Sequence, residues 1–142
     1  MTSLTADDRL EIAEVMARWA AFEDGGQAEA WAGLFTADGV STSASGKHLT
    51  GHAALAGNAR TRWNKPGGQD VAHIFAAPVI EPSTEGAIAR HYGVLVDRAG
   101  AVVLGVLSRR TCHLRREDGR WRIFYREIEH LTKAGSSVSG EM

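Results

Sequence analysis

The chain has 142 residues, 44% of them hydrophobic, and a formal net charge of −1 at pH 7, which is ordinary composition for one folded domain. Its single cysteine, Cys112, excludes an internal disulfide and a zinc site built from several cysteines. A sequence pI of about 6.6 argues against a nucleic-acid partner. The first residues lack the basic patch and apolar run of a signal peptide, and no apolar stretch approaches the roughly 20 residues that cross a bilayer. We therefore expect a cytoplasmic protein with no membrane partner.

Arginine makes up 13 of the 16 basic residues. Seven of these arginines lie between Arg109 and Arg126, where only two acids accompany them and the formal charge is +5. Side chains alternate between the two faces of a strand, so two predicted strands divide this charge between faces. On the last strand, alternation places Arg126 opposite Trp121 and Ile123. We interpret most of the cluster as solvated or paired with acids, and not as a nucleic-acid surface.

The first half of the chain has helical spacing. Thr5 with the acids that follow it is typical of a helix start. Apolar residues then recur every three or four positions up to Asp24, where Gly25-Gly26 predicts a chain reversal. The other elements predicted in this half are helices over 27–35 and 51–64 and a weak hairpin with strands over 40–43 and 47–49.

The second half predicts four long consecutive strands separated by turns, and the turn at Glu117-Asp118-Gly119 is the strongest hairpin signal. These strands are predicted over 71–81, 87–97, 101–116 and 120–131. Helices that precede strands favour an α+β fold. We expect one domain over 1–142, with a frayed end at 133–142. We expect the three helices to cover one face of a curved antiparallel sheet, which consists of the four strands plus the short hairpin.

Three passages together resemble a known superfamily. They are RWAAFEDGG at 18–26 with AWAGLFTADGV at 30–40, VAHIFAAPVIE at 71–81, and DGRWRI at 118–123 with Arg126. In this order they are similar to the nuclear transport factor 2-like superfamily and, within it, to the SnoaL-like enzymes. The likeness covers nearly the whole chain. The resemblance implies a cone-shaped sheet that encloses a pocket. Because the superfamily holds isomerases, dehydratases, cyclases, epoxide hydrolases and non-catalytic subunits, it implies this fold and not the reaction.

The resemblance implies a catalytic pair in which an acid at the end of the first helix supports a histidine on the first long strand. The matching positions are Asp24 and His73. Proton abstraction beside a carbonyl needs a base whose pKa is near the operating pH, and a carboxylate on one imidazole nitrogen fixes the tautomer. Glu23, about 100° away around the helix, is the alternative acid. No His-x-x-x-His pair lies on a predicted helix, so we expect no metal.

Seven further residues are candidates for contact with a substrate. Arg126 matches a recurrent arginine of the family and could hold an anionic group, and Arg110 could join it if its face looks inward. Trp19 stands where the family often has tyrosine, which favours a wall against a flat substrate over an acid role. His91 could orient the substrate or simply pack. The complete set of predicted substrate-binding residues is Trp19, Leu55, Trp63, Phe75, His91, Arg110 and Arg126.

Two functions fit these residues. The first is a cofactor-independent acid–base enzyme of the dehydratase or lyase, isomerase or polyketide cyclase type, in which a His-Asp dyad acts on a small hydrophobic oxygenated molecule. The alternative is a non-catalytic protein that binds a small ligand, or an accessory subunit that resembles the small subunit of ring-hydroxylating dioxygenases. In either case the resemblance implies a homodimer or a homotrimer.

Overall fold

A computed structural model describes residues 3–98 and 103–132 of the chain. The predicted turn residues at 99–100 and the predicted frayed end at 133–142 lie outside the described residues. Helices occupy the first half and most of the sheet occupies the second, which confirms the α+β prediction. The elements are α1 (Ala6–Asp24), α2 (Ala28–Ala32), β1 (Phe35–Thr42), β2 (His48–Thr50), α3 (His52–Asn64), a 3-10 turn (Gly68–Asp70), β3 (Val71–Phe75), β4 (Val79–Pro82), β5 (Ala87–Asp97), β6 (Val103–Glu117) and β7 (Arg120–His130).

Seven strands form one curved, unclosed sheet in the order β2-β1-β7-β6-β5-β3, and β4 also pairs with β5. Every pair is antiparallel except β1 with β7, which is parallel. The prediction of a wholly antiparallel sheet is wrong at this one pair. Parallel neighbours need a long connection, and here all of the chain between Thr42 and Arg120 supplies it. No local pattern around β1 signals a partner so far along the chain.

Three predicted elements have clearly different bounds in the structure, and one of them is the strand predicted over 40–43, which begins at Phe35. The strand predicted over 71–81 is interrupted at 76–78, and its two halves, β3 and β4, pair with opposite ends of β5. Pro78 lies in the interruption, and proline has no N–H to donate to a ladder. The helix predicted over 27–35 ends at Ala32, because Gly33 caps it and Phe35 already pairs with Ile123 in the sheet.

A β-bulge in β7 changes which face Arg126 occupies. Leu114 pairs with Ile123 while His113 pairs with Tyr125, so Phe124 is the extra residue. Simple alternation across this point places Arg126 opposite Ile123, and that prediction is wrong. The bulge turns Arg126 to the buried inner face, where it is 2% exposed.

Helix α1 covers the inner face of the sheet. It begins at a capping box, in which the Thr5 hydroxyl accepts from the Asp8 N–H and the Asp8 carboxylate accepts from the Thr5 N–H. Its buried stripe packs against β5, β6 and β7 in one hydrophobic core, which includes Ile12, Val15, Met16, Trp19, Ala87, Ala89, Cys112, Leu114, Trp121 and Ile123. The packing of α1 brings its last turn to β3.

Among the described residues, no helix has the length and apolar character to cross a membrane.

Candidate active site

The last residue of α1 and the middle residue of β3 are in direct contact. The Asp24 Oδ1 atom lies 2.6 Å from Nδ1 of His73, and Oδ2 accepts the His73 backbone N–H at 2.7 Å. Because a carboxylate can only accept, Nδ1 carries the proton of the bond, and Nε2 of the neutral ring keeps a lone pair. The side chain of His73 is 5% exposed. The two side chains are thus within hydrogen-bond distance, while the catalytic roles of both residues stay predictions.

Glu23 occupies the other side of the same imidazole. Its Oε2 atom lies 3.5 Å from Nε2 of His73 and accepts the indole N–H of Trp19 at 2.9 Å. Its Oε1 atom forms an ion pair with the Arg62 guanidinium of α3. The side chain of Glu23 is 9% exposed, so this carboxylate belongs to the interior. Two neighbouring acids therefore flank one histidine, since consecutive side chains diverge by about 100° around a helix.

The electrostatic surroundings keep Glu23 ionised. Burial alone would raise the pKa of its carboxyl group, because water no longer solvates the charge. The positive charge of Arg62 opposes this effect first, followed by His73 and the two buried arginines of β6 and β7, and the net result is a pKa of about 2. At neutral pH Glu23 is therefore a fixed negative charge beside Nε2 of His73, and its low pKa makes it a weak base.

The two arginines, Arg110 and Arg126, lie on the inner face next to Trp19. The Cζ atom of Arg126 stands 4.3 Å from the Trp19 ring centroid, and that of Arg110 stands 6.0 Å away. Arg110 also lies over Phe75, at 4.4 Å from its centroid. Both side chains carry polar bonds to hydroxyls, from Arg126 Nη1 to Ser41 Oγ and from Arg110 Nε to Ser108 Oγ. Arg110 lies on the inner face, which meets the condition on which it was a candidate, and its contact with a substrate stays a prediction.

A glycine makes room for this arrangement on β5. A Cβ atom at Gly93 would stand 2.9 Å from the Phe75 ring and 3.4 Å from Nε of Arg110. The absence of a side chain there lets Phe75 and Arg110 lie flat against the strand. Phe75 in turn connects the two histidines, since its ring centroid is 5.9 Å from that of His73 and 4.5 Å from that of His91.

His91 is a neutral imidazole at the same face. It is 5% exposed, and it pairs in register with Arg110. Burial, followed by the positive charge of Arg110, lowers the pKa of His91 to about 4. Its Nδ1 atom is buried and has no hydrogen-bond partner among the described residues. The arrangement can therefore offer one neutral imidazole nitrogen to an oxygen atom of a bound molecule.

The remaining predicted contact residues, Leu55 and Trp63, lie on α3. Leu55 is fully buried in the hydrophobic core with Trp19. Trp63 packs over Gly26, where a Cβ atom would stand only 2.6 Å from its ring. Their substrate contacts stay predictions, as does the pocket expected inside the cone. Among the described residues, no three His, Cys, Asp or Glu side chains are grouped as metal ligands would be.

Two site residues were missed or undervalued by sequence reasoning. Glu23 is predicted only as the alternative acid, although its position four residues after Trp19 places the two on one helix face and was a usable signal. Arg62 has no local signal, because only the packing of α3 brings it to Glu23. The site thus has three components: the dyad, the Glu23–Arg62 pair and the two arginines beside Trp19.

Comparisons with known proteins agree with this fold. A family model described as a SnoaL-like domain matches residues 4–127. An NTF2-like protein with a cystatin-like fold from Novosphingobium aromaticivorans is 28% identical, with a TM-score of 0.82 over 92% of this chain and 85% of that chain. A Catenulispora acidiphila protein in complex with S-DNPA is 25% identical, with a TM-score of 0.73 over 89% and 95% of the two chains. ActVI-ORFA from Streptomyces coelicolor shares the fold at 18% identity, with a TM-score of 0.76 over 86% and 96%. No protein of curated function matches the chain.

Proposed function

The chain belongs to the family of SnoaL-like domains, and we propose that it is a cofactor-independent acid–base enzyme of the dehydratase, isomerase or polyketide cyclase type. Its substrate is a small, hydrophobic, oxygenated molecule. The observation that carries the proposal is the double contact between Asp24 and His73, at 2.6 Å to Nδ1 and 2.7 Å to the backbone N–H. The similar Catenulispora acidiphila fold in complex with S-DNPA adds support, since it binds a ligand.

The proposed chemistry needs only one group that takes up and returns a proton. Nε2 of His73 removes a proton from the carbon next to a carbonyl, and the electron pair of the broken C–H bond moves into an enolate. In a dehydration, the imidazolium then gives this proton to the departing β-hydroxyl, which leaves as water while a C=C bond forms. In an isomerisation the same proton returns to a different carbon. Asp24 stabilises the imidazolium throughout.

The surroundings of Nε2 are suited to such a reaction. This atom is buried and has no hydrogen-bond partner among the described residues, and the Glu23 carboxylate is its charged neighbour at 3.5 Å. The rings of Trp19 and Phe75 supply flat apolar surface. The guanidinium groups above those rings would stabilise the negative charge of an enolate oxygen, because such donors act strongly in a site shielded from water.

The proposal is tested by measuring turnover of bicyclic β-hydroxy ketones, in which the ring that carries the ketone is fused to an aromatic ring. We expect the wild type to convert at least one of them to the unsaturated ketone or its aromatic tautomer. His73→Ala should lower kcat/KM by about 10²- to 10⁴-fold, because general acid–base catalysis contributes that much. Asp24→Asn should also lower it, by up to about 10⁴-fold, because an amide can hold the imidazole in the wrong tautomer. Glu14→Gln, which alters an exposed ion pair with Arg18, is the matched control and should leave the rate unchanged.

A protein that only binds small ligands would give a different result. It would bind members of the series, as measured by tryptophan fluorescence, and convert none of them. Binding that persists equally in wild type and His73→Ala, without product from either, would contradict the proposed enzyme.

A further inference from the structure

The His73 imidazole lies between two carboxylates, one beside each ring nitrogen. Asp24 Oδ1 is 2.6 Å from Nδ1, and Glu23 Oε2 is 3.5 Å from Nε2. The side chains of His73 and Glu23 are 5% and 9% exposed, so little water screens the charge between them. The proposed chemistry gives a role to Asp24 only, although the second carboxylate lies beside the nitrogen that takes up the proton.

Both oxygen atoms of the Glu23 carboxylate are held in place. Oε2, the atom that faces His73, also accepts the indole N–H of Trp19 at 2.9 Å. Oε1 forms the ion pair with Arg62, which reaches it from α3. Burial raises the pKa of Glu23, but Arg62 and further positive groups bring it down to about 2. The carboxylate is therefore charged at neutral pH and fixed at its distance from Nε2.

Several elements bring charged or titratable side chains towards His73 or the Glu23 carboxylate beside it. Strand β3 itself carries no charged side chain besides His73. His91 is neutral at pH 7, because burial and then the charge of Arg110 lower its pKa to about 4. The arginines of β6 and β7 are present in every variant compared below, so their effect on the ring cancels. These groups are Asp24 and Glu23 on α1, Arg62 on α3, His91 on β5, Arg110 on β6 and Arg126 on β7.

We propose that Glu23, fixed by Arg62, is a positioning residue that stabilises the imidazolium of His73 after Nε2 has taken up the proton. This inference rests on the proposed function, because it adds a second carboxylate to the same acid–base step. The interaction between the two charges is reciprocal, so a positive ring that favours the ionised carboxylate is favoured by it to the same extent. Asp24 determines which nitrogen carries the first proton, and Glu23 stabilises the ring once the other nitrogen has accepted one.

Two variants that change the charge beside Nε2 in opposite directions test this proposal. Glu23→Gln removes the negative charge, while its amide oxygen can still accept the Trp19 N–H. We expect the midpoint of the His73 ring titration, followed by proton–nitrogen NMR, to fall by about one pH unit relative to wild type. Arg62→Gln removes a positive charge and leaves the carboxylate in place, so the same midpoint should rise. A side chain with only a packing role would not give shifts of opposite sign.

Arg60→Gln is the matched control, because it also removes an arginine of α3 that pairs with a carboxylate, here the exposed one of Glu29. It should leave the midpoint unchanged. An unchanged midpoint in Glu23→Gln, or a shift of the same sign in Glu23→Gln and Arg62→Gln, would overturn the proposal. If Glu23→Gln does not fold, Arg62→Gln decides by itself, since the absence of a rise relative to Arg60→Gln would also overturn it.

The NMR titration needs no substrate, so it separates this proposal from the proposed enzyme. Where the wild type turns over a ketone, the pH at which kcat/KM falls on the acid side should move with the NMR midpoint, down in Glu23→Gln and up in Arg62→Gln. Turnover with the same pH profile in all three proteins would retain the enzyme and overturn the role of Glu23. Shifts of opposite sign without turnover by any of the three would retain the stabilisation of the imidazolium and remove the enzyme.

Discussion

Glu23 brings together three partners that lie on three different elements. It accepts the Trp19 indole N–H within α1, forms an ion pair with Arg62 of α3 and lies 3.5 Å from Nε2 of His73 on β3. Removing one member of a buried ion pair is costly because the other charge stays buried without its partner. This carboxylate therefore positions the base and also helps to hold the helices against the sheet.

Glu23→Gln should destabilise the protein at neutral pH by about 3 kcal/mol, because Arg62 loses its charged partner. The folded pKa of Glu23, about 2, is below the ordinary 4.5, so its ionised form stabilises the fold. That contribution is complete above pH 4.5 and is lost as the pH falls towards 2. Thermal unfolding measured from pH 7 to pH 3 should show a smaller acid-induced loss in the variant than in wild type.

Glu14→Gln is the control for this comparison, because it also removes one carboxylate of an ion pair but an exposed one. It should change stability by less than about 1 kcal/mol and should leave the acid-induced loss unaltered. If Glu23→Gln behaved like Glu14→Gln at every pH, the buried ion pair would not be a determinant of stability.

At the scale of elements, the turn after α1 determines where the two acids point. The helix ends at Asp24, and Gly26 adopts φ +68°, a left-handed conformation that glycine accepts without strain. The ring of Trp63 on α3 packs directly on this glycine. The turn, and with it the direction of the Asp24 side chain, is thus fixed by a contact between α3 and the end of α1.

Gly26→Ala tests that contact. A Cβ atom would meet the Trp63 ring at 2.6 Å in addition to the left-handed backbone penalty, so we expect a loss of about 2–4 kcal/mol in the free energy of unfolding. Gly46→Ala is the matched control, since Gly46 also has a positive φ of 86° but no atom within 4 Å of its Cβ position. It should lose only about 1 kcal/mol. Equal losses in chemical denaturation would exclude the role of Trp63.

For the whole molecule, local signals predicted most elements, whereas Asp24 and His73 were indicated by the family resemblance and not by a local signal. The cap at Thr5, the glycines after Asp24 and the alternation of the long strands are local, and they place α1 and β5–β7 largely correctly, whereas α2 ends earlier than predicted. The parallel pairing of β1 with β7 is not local, and neither is the bulge at Phe124 that turns Arg126 inward. The sequence did not predict the Glu23–Arg62 pair for the same reason, because the two side chains meet only when α3 packs against the end of α1.

The packing of the whole molecule also explains where the many arginines of the sequence lie. Several arginines of the cluster pair with exposed acids, as Arg109 does with Glu129 and Arg115 with Asp38. Two of them, Arg110 and Arg126, are instead buried beside the dyad. The positive charge of the cluster is divided between the two faces of the sheet, as expected. The two buried arginines are the part of the cluster that bears on function.

The homodimer or homotrimer implied by the family stays a prediction. The outer face of the sheet exposes apolar side chains at Ile74, Tyr92 and Leu107, and a second copy of the chain could cover them. Light scattering coupled to size exclusion should then give two or three times the chain mass of 15.3 kDa. A single monomeric peak at micromolar concentration would contradict it.

The most direct test of the dyad is proton abstraction itself, without a leaving group. We expect the wild type to accelerate the exchange of the α-hydrogens of 2-tetralone for deuterium in D₂O, because Nε2 of His73 removes a proton and leaves the ketone as its enolate. Proton NMR measures the rate of this exchange. His73→Ala should slow this exchange by about 100-fold or more, towards the rate in buffer alone. Exchange that is undiminished in His73→Ala, or no acceleration by the wild type, would contradict the assignment of His73 as the base.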